Sequence, residues 1–419
     1  MKSETSEVIN SMQEHDPEKT VHPETAKKGP APTLSREKVV SALRRNRGFK
    51  CLECGKCTAV CPVSIFNSGY SPRRVMNSFL TGHSGKVLSD ETLWECLTCG
   101  LCNLRCPSDV DFACLMKDIR IEAVQQGAEI PASHCGFLHS MMKTMASPNL
   151  SQKRTEWITK DLKVAEKGDI LYFVGCLPYF DAYFTDINVE TIPIAKGAVK
   201  LLNRLGIEPV VMKDERCCGH DLLWSGDEAH FKKLAELNAE AIRKTGAKTV
   251  LTTCAECAHT LKSDFPAAVG DMGVEIQHIT EFLAARMDSG DLRLGPLDKT
   301  VTFHDPCRLG RFMNIYDPPR EVIKNIPELT FKEMFRSLHR AACCGTNSWI
   351  NCNAVSKRLQ ENRLKEARST GAEVLITACP KCYIHFKCAM SGSELRDSLH
   401  LEVEDITTLA ASAVETEKS

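Results

Sequence analysis

One cysteine pattern, written twice between residues 176 and 382, constrains this chain more than anything else in it. Each copy places a single cysteine, then a doubled Cys-Cys-Gly, then Cys-x-x-Cys. The first copy is Cys176, Cys217-Cys218-Gly219 and Cys254-Ala255-Glu256-Cys257; the second is Cys307, Cys343-Cys344-Gly345 and Cys379-Pro380-Lys381-Cys382. Ten thiols placed in one order twice predict an internally duplicated domain, with a period too long for a solenoid. In all, 22 of 419 residues are cysteine. Such a number means disulfides in a small secreted protein; in a large chain at Cys-x-x-Cys spacing it predicts metal held by thiolates in a reducing compartment.

What flanks the cysteines predicts the fold. A short apolar run at 170–174 leads into Gly175-Cys176, another at 209–212 feeds the doubled cysteines, and a third at 249–252 delivers Cys254 and Cys257. The second copy repeats this with runs at 301–303 and 374–376. Helical periodicity lies between: 188–204 closed by Gly206, a helix capped by Asp227 and ended by Gly246, and 354–368 stopped by Gly371. Strand, cysteine loop and helix in alternation predict an internally duplicated α/β domain with largely parallel sheets. In such sheets ligands sit beyond the carboxyl ends of the strands, where these cysteines fall.

Ahead of the repeat stand two further runs, Cys51-x2-Cys54-x2-Cys57-x3-Cys61-Pro62 and Cys96-x2-Cys99-x2-Cys102-x3-Cys106-Pro107. This is the bacterial ferredoxin spacing for [4Fe-4S] cubanes, in which the fourth cysteine of each run crosses to the other cluster. On that rule Cys51, Cys54, Cys57 and Cys106 hold one cubane, and Cys96, Cys99, Cys102 and Cys61 hold the second. Zinc accepts four thiolates as well, but the run ending in Cys-Pro, given twice, argues against it. Helical spacing follows both runs, at 72–82 and through Leu115, Ile119 and Ala123 to Gly127, so an α-helical ferredoxin domain is expected over 36–150.

Five cysteines per copy exceed what a cubane or a tetrahedral zinc needs, and adjacent cysteines suit neighbouring irons of a distorted cluster. Here the chain resembles the heterodisulfide reductase family. Its first part is similar to the C subunit, its duplicated part to the B subunit with two CCG domains, and the order resembles the fused catalytic D-type subunit over about residues 40–410. The resemblance implies two non-cubane [4Fe-4S] clusters besides the two cubanes. Carried over, Cys176, Cys217, Cys218, Cys254 and Cys257 bind one, and Cys307, Cys343, Cys344, Cys379 and Cys382 the other. It also implies that a small-molecule disulfide is split homolytically between them. Iron-sulfur subunits of glycolate, lactate and glycerol-3-phosphate dehydrogenases carry the same Cys-Cys-Gly signatures, often with substitutions. The alternatives are therefore an electron-accepting subunit feeding quinone, or a relay without catalysis.

The expected organisation is a flexible tail over 1–35, the ferredoxin domain over 36–150, a connector over 151–168 with a helix at 152–167, and CCG domains over 169–296 and 297–412. His220 and the pair His304-Asp305 are candidates to bring protons to the released thiols; orienting the cysteine loops is the other reading. Arg308, Arg311 and Lys381 adjoin the second site and suit an anionic group on the substrate or compensation of cluster charge. Trp224 and Trp349 suit pocket walls or core. Cys114, Cys135, Cys352 and Cys388 are left over, as small buried hydrophobes. With 53 lysines and arginines against 54 acids, no overall field draws the chain to nucleic acid. No apolar run resembles a signal or a membrane span, which predicts a cytoplasmic protein or one held at the membrane by a partner. No nucleotide or flavin motif is evident, so electrons are expected from a flavoprotein resembling the A subunit or from a membrane cytochrome b.

Overall fold

The computed structural model describes residues 34–89 and 92–416. The expected tail over 1–35 lies, except for its last two residues, outside them. Among the described residues, seven short strands form two parallel sheets. In the first, β1 (Ile170–Phe173) pairs with β2 (Thr249–Thr252), and β2 with β3 (Glu275–His278). The second runs in the order β5 (Thr330–Phe331), β4 (Thr300–His304), β6 (Val374–Thr377), β7 (Glu402–Asp405). Leu171, Val250, Val301 and Leu375 are fully buried, as the apolar runs require of strands covered on both faces.

The predicted strand at 209–212 is reduced to one bridging residue. Val210 donates to Ile170 O at 2.8 Å and accepts from Tyr172 N at 2.9 Å, which puts it beside β1 where β5 stands beside β4. Pro209 has no N–H to extend the ladder, and its carbonyl is taken by Ala165 N at 3.0 Å. The two sheets therefore share one plan, and the cysteines follow the same strand ends in each.

Each half covers the other with a helix. Ile279–Asp288, which follows β3, packs on Asp317–Lys324 of the second half, and Ile406–Thr416, which follows β7, packs on Ile192–Arg204 of the first. Gly197 permits the second crossing. A Cβ there would stand 3.1 Å from Ala411 Cβ and 3.1 Å from Thr407 O. The apolar core runs unbroken from one half to the other and into the N-terminal unit.

That unit is helical, from Arg36–Arg45 to Phe137–Thr144, with Phe112–Gln125 at its centre. Arg120 on the central helix is fully buried without a carboxylate partner. Its guanidinium donates instead to carbonyls of Leu93, Trp94, Cys96 and Trp224, at 2.7–3.3 Å, and so ties the second ferredoxin run to the first half. Gly226 makes room for this, since a Cβ would lie 2.5 Å from Arg120 O. The helix expected at 152–167 does not form; the segment is a series of turns. Its side chains explain the difference: Arg154 gives hydrogen bonds to Glu215 and to Gly175 O at 2.5–2.9 Å, and Gln152 gives one to Glu215 O at 3.0 Å, which spreads the segment along the first half. Among the described residues, no helix is long and apolar enough to cross a membrane.

Candidate iron-sulfur centres

The eight ferredoxin cysteines surround two neighbouring cavities. An inner one is lined by Cys61, Cys96, Cys99 and Cys102; an outer one is lined by Cys51, Cys54, Cys57, Cys106 and again Cys102. Gly55 and Gly100, with φ of 79° and 74°, turn the loops inward in a conformation that favours glycine. Amide groups also point at sulfur, Thr98 N to Cys96 Sγ and Val110 N to Cys106 Sγ, both at 3.3 Å. Burial grades the two sets: Cys54 is exposed, whereas Cys61, Cys96 and Cys99 are buried. Burial pushes the Cys61 thiol up to about 12, because nothing cationic offsets the desolvation of its thiolate. All-sulfur sets around these cavities fit an iron-sulfur core, whose positive irons reverse that cost.

In the first half, β1 runs into Cys176, β2 into Cys254, and Val210 leads to Cys217 and Cys218. Cys257 Sγ lies 3.4 Å from Cys218 Sγ, and Gly219 N donates to Cys217 Sγ at 3.3 Å. The glycine after the doubled cysteine is required twice over. Gly219 has φ 79° and a Cβ would stand 2.8 Å from Phe231; Gly345 has φ 90° and a Cβ would stand 2.9 Å from Ser356 O. The thiols are close enough to share protons: hydrogen bonds from Cys176 and Cys218 hold Cys217 well below the ordinary thiol range, and they push Cys176 up. Such mutual bonding marks a cluster of sulfur ligands.

The second half gathers Cys307, Cys343, Cys344, Cys379 and Cys382 in the same way, again with thiol-to-thiol hydrogen bonds. Two histidines face it. His385 Nδ1 is 3.6 Å from Cys344 Sγ, and His304 lies with Cys344 and Cys382 in one buried group. Cys102 lines both ferredoxin cavities, and two thiol contacts extend the line to the two halves. Cys99 of the inner ferredoxin set neighbours Cys343, and Cys254 of the first half neighbours Cys379 of the second. The order is outer set, inner set, second half, first half.

The other predicted residues take different places. His304 accepts from Arg363 Nε at 3.1 Å and is held down to about 3, by burial first and then by Arg363. His220 accepts from Arg308 Nε at 2.9 Å, lies 3.2 Å from Asp221, and is likewise held down to about 3, chiefly by burial. Asp305 is turned away from the thiols; it accepts two bonds from Arg320 at 2.8 and 3.0 Å and one from Leu338 N at 2.8 Å. Arg308 also donates to Thr98 O and Oγ1 at 2.8 and 3.0 Å and lies over the Trp224 ring at 3.8 Å. Arg311 donates to Cys99 O and Ala341 O, both at 2.6 Å. Lys381 is buried between Asp221 and Glu256, the latter at 2.6 Å. Trp224 and Trp349 are both core residues at 1% exposure, though Trp349 meets His385 edge-on. Of the four remaining cysteines, Cys135 and Cys352 are exposed and Cys114 and Cys388 half-buried, so none is fully buried; Cys388 accepts from Lys357 Nζ at 3.0 Å.

Glu256 and His385 lie beside the thiol sets without being marked by the cysteine motifs. Glu256 had a signal: it occupies the same place in its Cys-x-x-Cys as Lys381 in the other. His385 had none, because only helix Pro380–Ala389 brings it back over Cys344.

The chain matches the cysteine-rich domain family, CCG, twice, at 170–262 and 301–387, and a 4Fe-4S dicluster domain family at 50–111. The D subunit of a dihydromethanophenazine:CoB–CoM heterodisulfide reductase from Methanosarcina acetivorans is 36% identical over 313 residues, 72% of either chain. Its namesake from Methanosarcina barkeri is 35% identical over 272 residues, 62% of this chain and 63% of that one. A probable iron-sulfur-binding oxidoreductase of Bacillus subtilis is 30% identical over 259 residues, covering 60% of this chain and 35% of its own length.

Proposed function

Because the chain belongs to the family of heterodisulfide reductase D subunits, we propose that it is the oxidoreductase subunit that reduces or forms a small-molecule thiol disulfide. Cys51, Cys54, Cys57 and Cys106 would hold an outer cubane [4Fe-4S] cluster, and Cys61, Cys96, Cys99 and Cys102 an inner one. The two five-thiol sets would hold one non-cubane [4Fe-4S] cluster each. When bound, these groups supply electrons singly, which is what homolytic cleavage of a disulfide needs. One observation carries the reading: both five-thiol sets are complete and meet at Cys254 and Cys379, with the ferredoxin sets in line behind Cys343.

The chain's own residues then have separate tasks. The exposed Cys54 loop is the face for an electron donor, a flavoprotein resembling the A subunit or a membrane cytochrome b. The sheets hold the thiols at fixed strand ends and exclude water from nearly all of them. His304 and His385, beside Cys344 and Cys382, suit proton delivery to a departing thiolate better than His220, whose Nε2 is taken by Arg308 and whose Nδ1 faces Asp221. Arg308 and Lys381 have their donors engaged within the chain and suit cluster-charge compensation rather than grip on a substrate anion. Asp305 suits a structural anchor for the loop that follows Cys307.

Anaerobic reconstitution of the full chain with iron and sulfide tests the cofactor part. The expected result is broad visible absorption with about sixteen irons per chain, four for each cluster. Tight zinc with no visible absorption would sink it.

A further inference from the structure

We propose that Arg311 sets the order in which the two halves accept electrons, by holding the second half at a higher reduction potential than the first. This rests on the reading of both five-thiol sets as iron-sulfur sites, and it adds an asymmetry that the repeated cysteines conceal.

Arg311 lies in the short helix Gly310–Met313 just after Cys307. Its Nε donates to Cys99 O and its Nη1 to Ala341 O, both at 2.6 Å. One guanidinium thus clamps the inner ferredoxin loop to the strand of chain that leads into Cys343. Its third nitrogen, Nη2, is buried and has no partner among the described residues. It sits among the charges of Cys99, Cys307 and Cys343, so it is placed to give a hydrogen bond to sulfur at the junction of the two sites. Arg308 adds a second buried cation next to Cys307, and no carboxylate pairs with either among the described residues.

The first half is built differently: its buried Arg154 is paired with Glu215, and its Arg216, which stands where the second half has Ala342, gives a hydrogen bond to Leu150 O. Counted from the leading cysteine of each copy, Arg308 and Arg311 correspond to Leu177 and Phe180. Lys381 corresponds to Glu256, and Asn347 to Asp221. At four equivalent positions the second half is the more positive. A fixed cation stabilises the negative charge that arrives with an electron, a fixed acid opposes it, and the potential of an iron-sulfur group follows net charge and hydrogen bonds to its sulfurs. In a buried site salt does little to screen this. An arginine keeps its charge across the working pH range, so the bias is permanent. Because Cys343 is also the thiol that touches the ferredoxin set, the half reached first is the half that holds the electron more tightly.

A clamp that merely joins two loops would predict no such difference, and a potential separates the two. The full chain, reconstituted anaerobically, is titrated potentiometrically and followed by electron paramagnetic resonance. Signals are assigned to halves with Cys218→Ala and Cys344→Ala. In the unaltered protein the second-half signal is expected at the higher potential. Arg311→Gln should lower it while leaving the first half in place; Arg311→Lys, which keeps the charge but loses the two-point clamp, should lower it less. Halves that titrate together, a reversed order, or a Gln variant that moves both equally would overturn the proposal. Should the Gln variant lose iron, the Lys variant decides: a lowered second half with an unmoved first half supports the proposal, and no shift refutes it. A wild-type chain without iron-sulfur absorption would instead overturn the cofactor reading beneath it.

Discussion

The two halves answer the same need with different side chains. Each turns a doubled cysteine with a left-handed glycine, places a lone cysteine after its first long strand, and ends its next strand in Cys-x-x-Cys. Around that frame the chemistry diverges. The first half keeps Asp221, Glu215 and Glu256 near its thiols, with Glu215 offset by Arg154 at 2.5 Å; the second carries Arg308, Arg311 and Lys381. The difference teaches which parts of a cysteine-rich half are dictated by geometry. Thiol positions and glycines are, whereas the surrounding charges are free to specialise, and here they meet across the contact face, where Lys381 of one half is seated on Asp221 and Glu256 of the other.

Breaking the thiol frame should have the largest effect. Cys344→Ala removes a buried thiol that is bonded to Cys343 and Cys382. It is expected to lose the iron of one site and to abolish disulfide cleavage, while the ferredoxin signals persist; metal analysis and redox spectroscopy of the same sample check this. Cys218→Ala should do the same to the first half.

Next comes the charge seam between the halves. Lys381→Met leaves buried Asp221 and half-buried Glu256 without their cation, and loss of one partner of a buried pair costs about 3–5 kcal/mol. Glu256→Gln keeps the Lys381–Asp221 pair and should cost less. Chemical unfolding of the two variants in parallel gives the ranking, and equal losses would break the comparison. Gly345→Ala forces φ 90° on a residue with a Cβ that stands 2.9 Å from Ser356 O. A loss of about 1–3 kcal/mol from backbone strain alone is expected, matched by Gly219→Ala in the first half.

The smallest effect concerns pH, and there the halves should differ in sign. At the end of β7, burial raises Asp405 to about 7; at the corresponding end of β3, burial lowers His278 to about 4. Between its unfolded value near about 3.9 and its folded value, Asp405 keeps a proton that the unfolded chain has lost, so its contribution falls as pH rises through that window. His278 refuses a proton that the unfolded chain binds below about 6.5, so its contribution falls as pH drops from there to about 4. Asp405→Asn should therefore remove a fall in stability as pH rises from about 3.9 to about 7, and His278→Gln a gain in stability as pH rises from about 4 to about 6.5, each by at most about 1.4 kcal/mol per pH unit, as read by denaturant midpoints.

Much of the fold was legible because strands and thiols repeat. The apolar runs at 249–252 and 374–376 lie inside β2 and β6, the Asp227 cap bonds His230 N at 3.2 Å, and Gly246 ends that helix with φ 75°. What stayed hidden depends on contacts made at a distance. Pro209 limits a strand that looked longer, and Arg154 pulls a helical-looking connector into turns because Glu215, far along the chain, accepts its hydrogen bonds. β3 and β7 passed unnoticed, since Glu275–His278 and Glu402–Asp405 alternate polar and apolar residues at a sheet edge. In the site, spacing assembled the sulfur sets, but nothing local told that Arg308 would be spent on Thr98 and His220, that Asp305 would face Arg320, or that Cys99 would touch Cys343.

The central claim is that paired five-thiol sites exchange electrons with a disulfide. Its direct measurement is anaerobic mixing of the reconstituted full chain with reduced methyl viologen and a small symmetrical thiol disulfide. The dye is expected to be oxidised only when the disulfide is added, with two viologens oxidised and two thiols released per disulfide, and Cys344→Ala is expected to stop it. Intact iron-sulfur absorption with no disulfide-dependent oxidation, while a quinone is readily reduced, would contradict it.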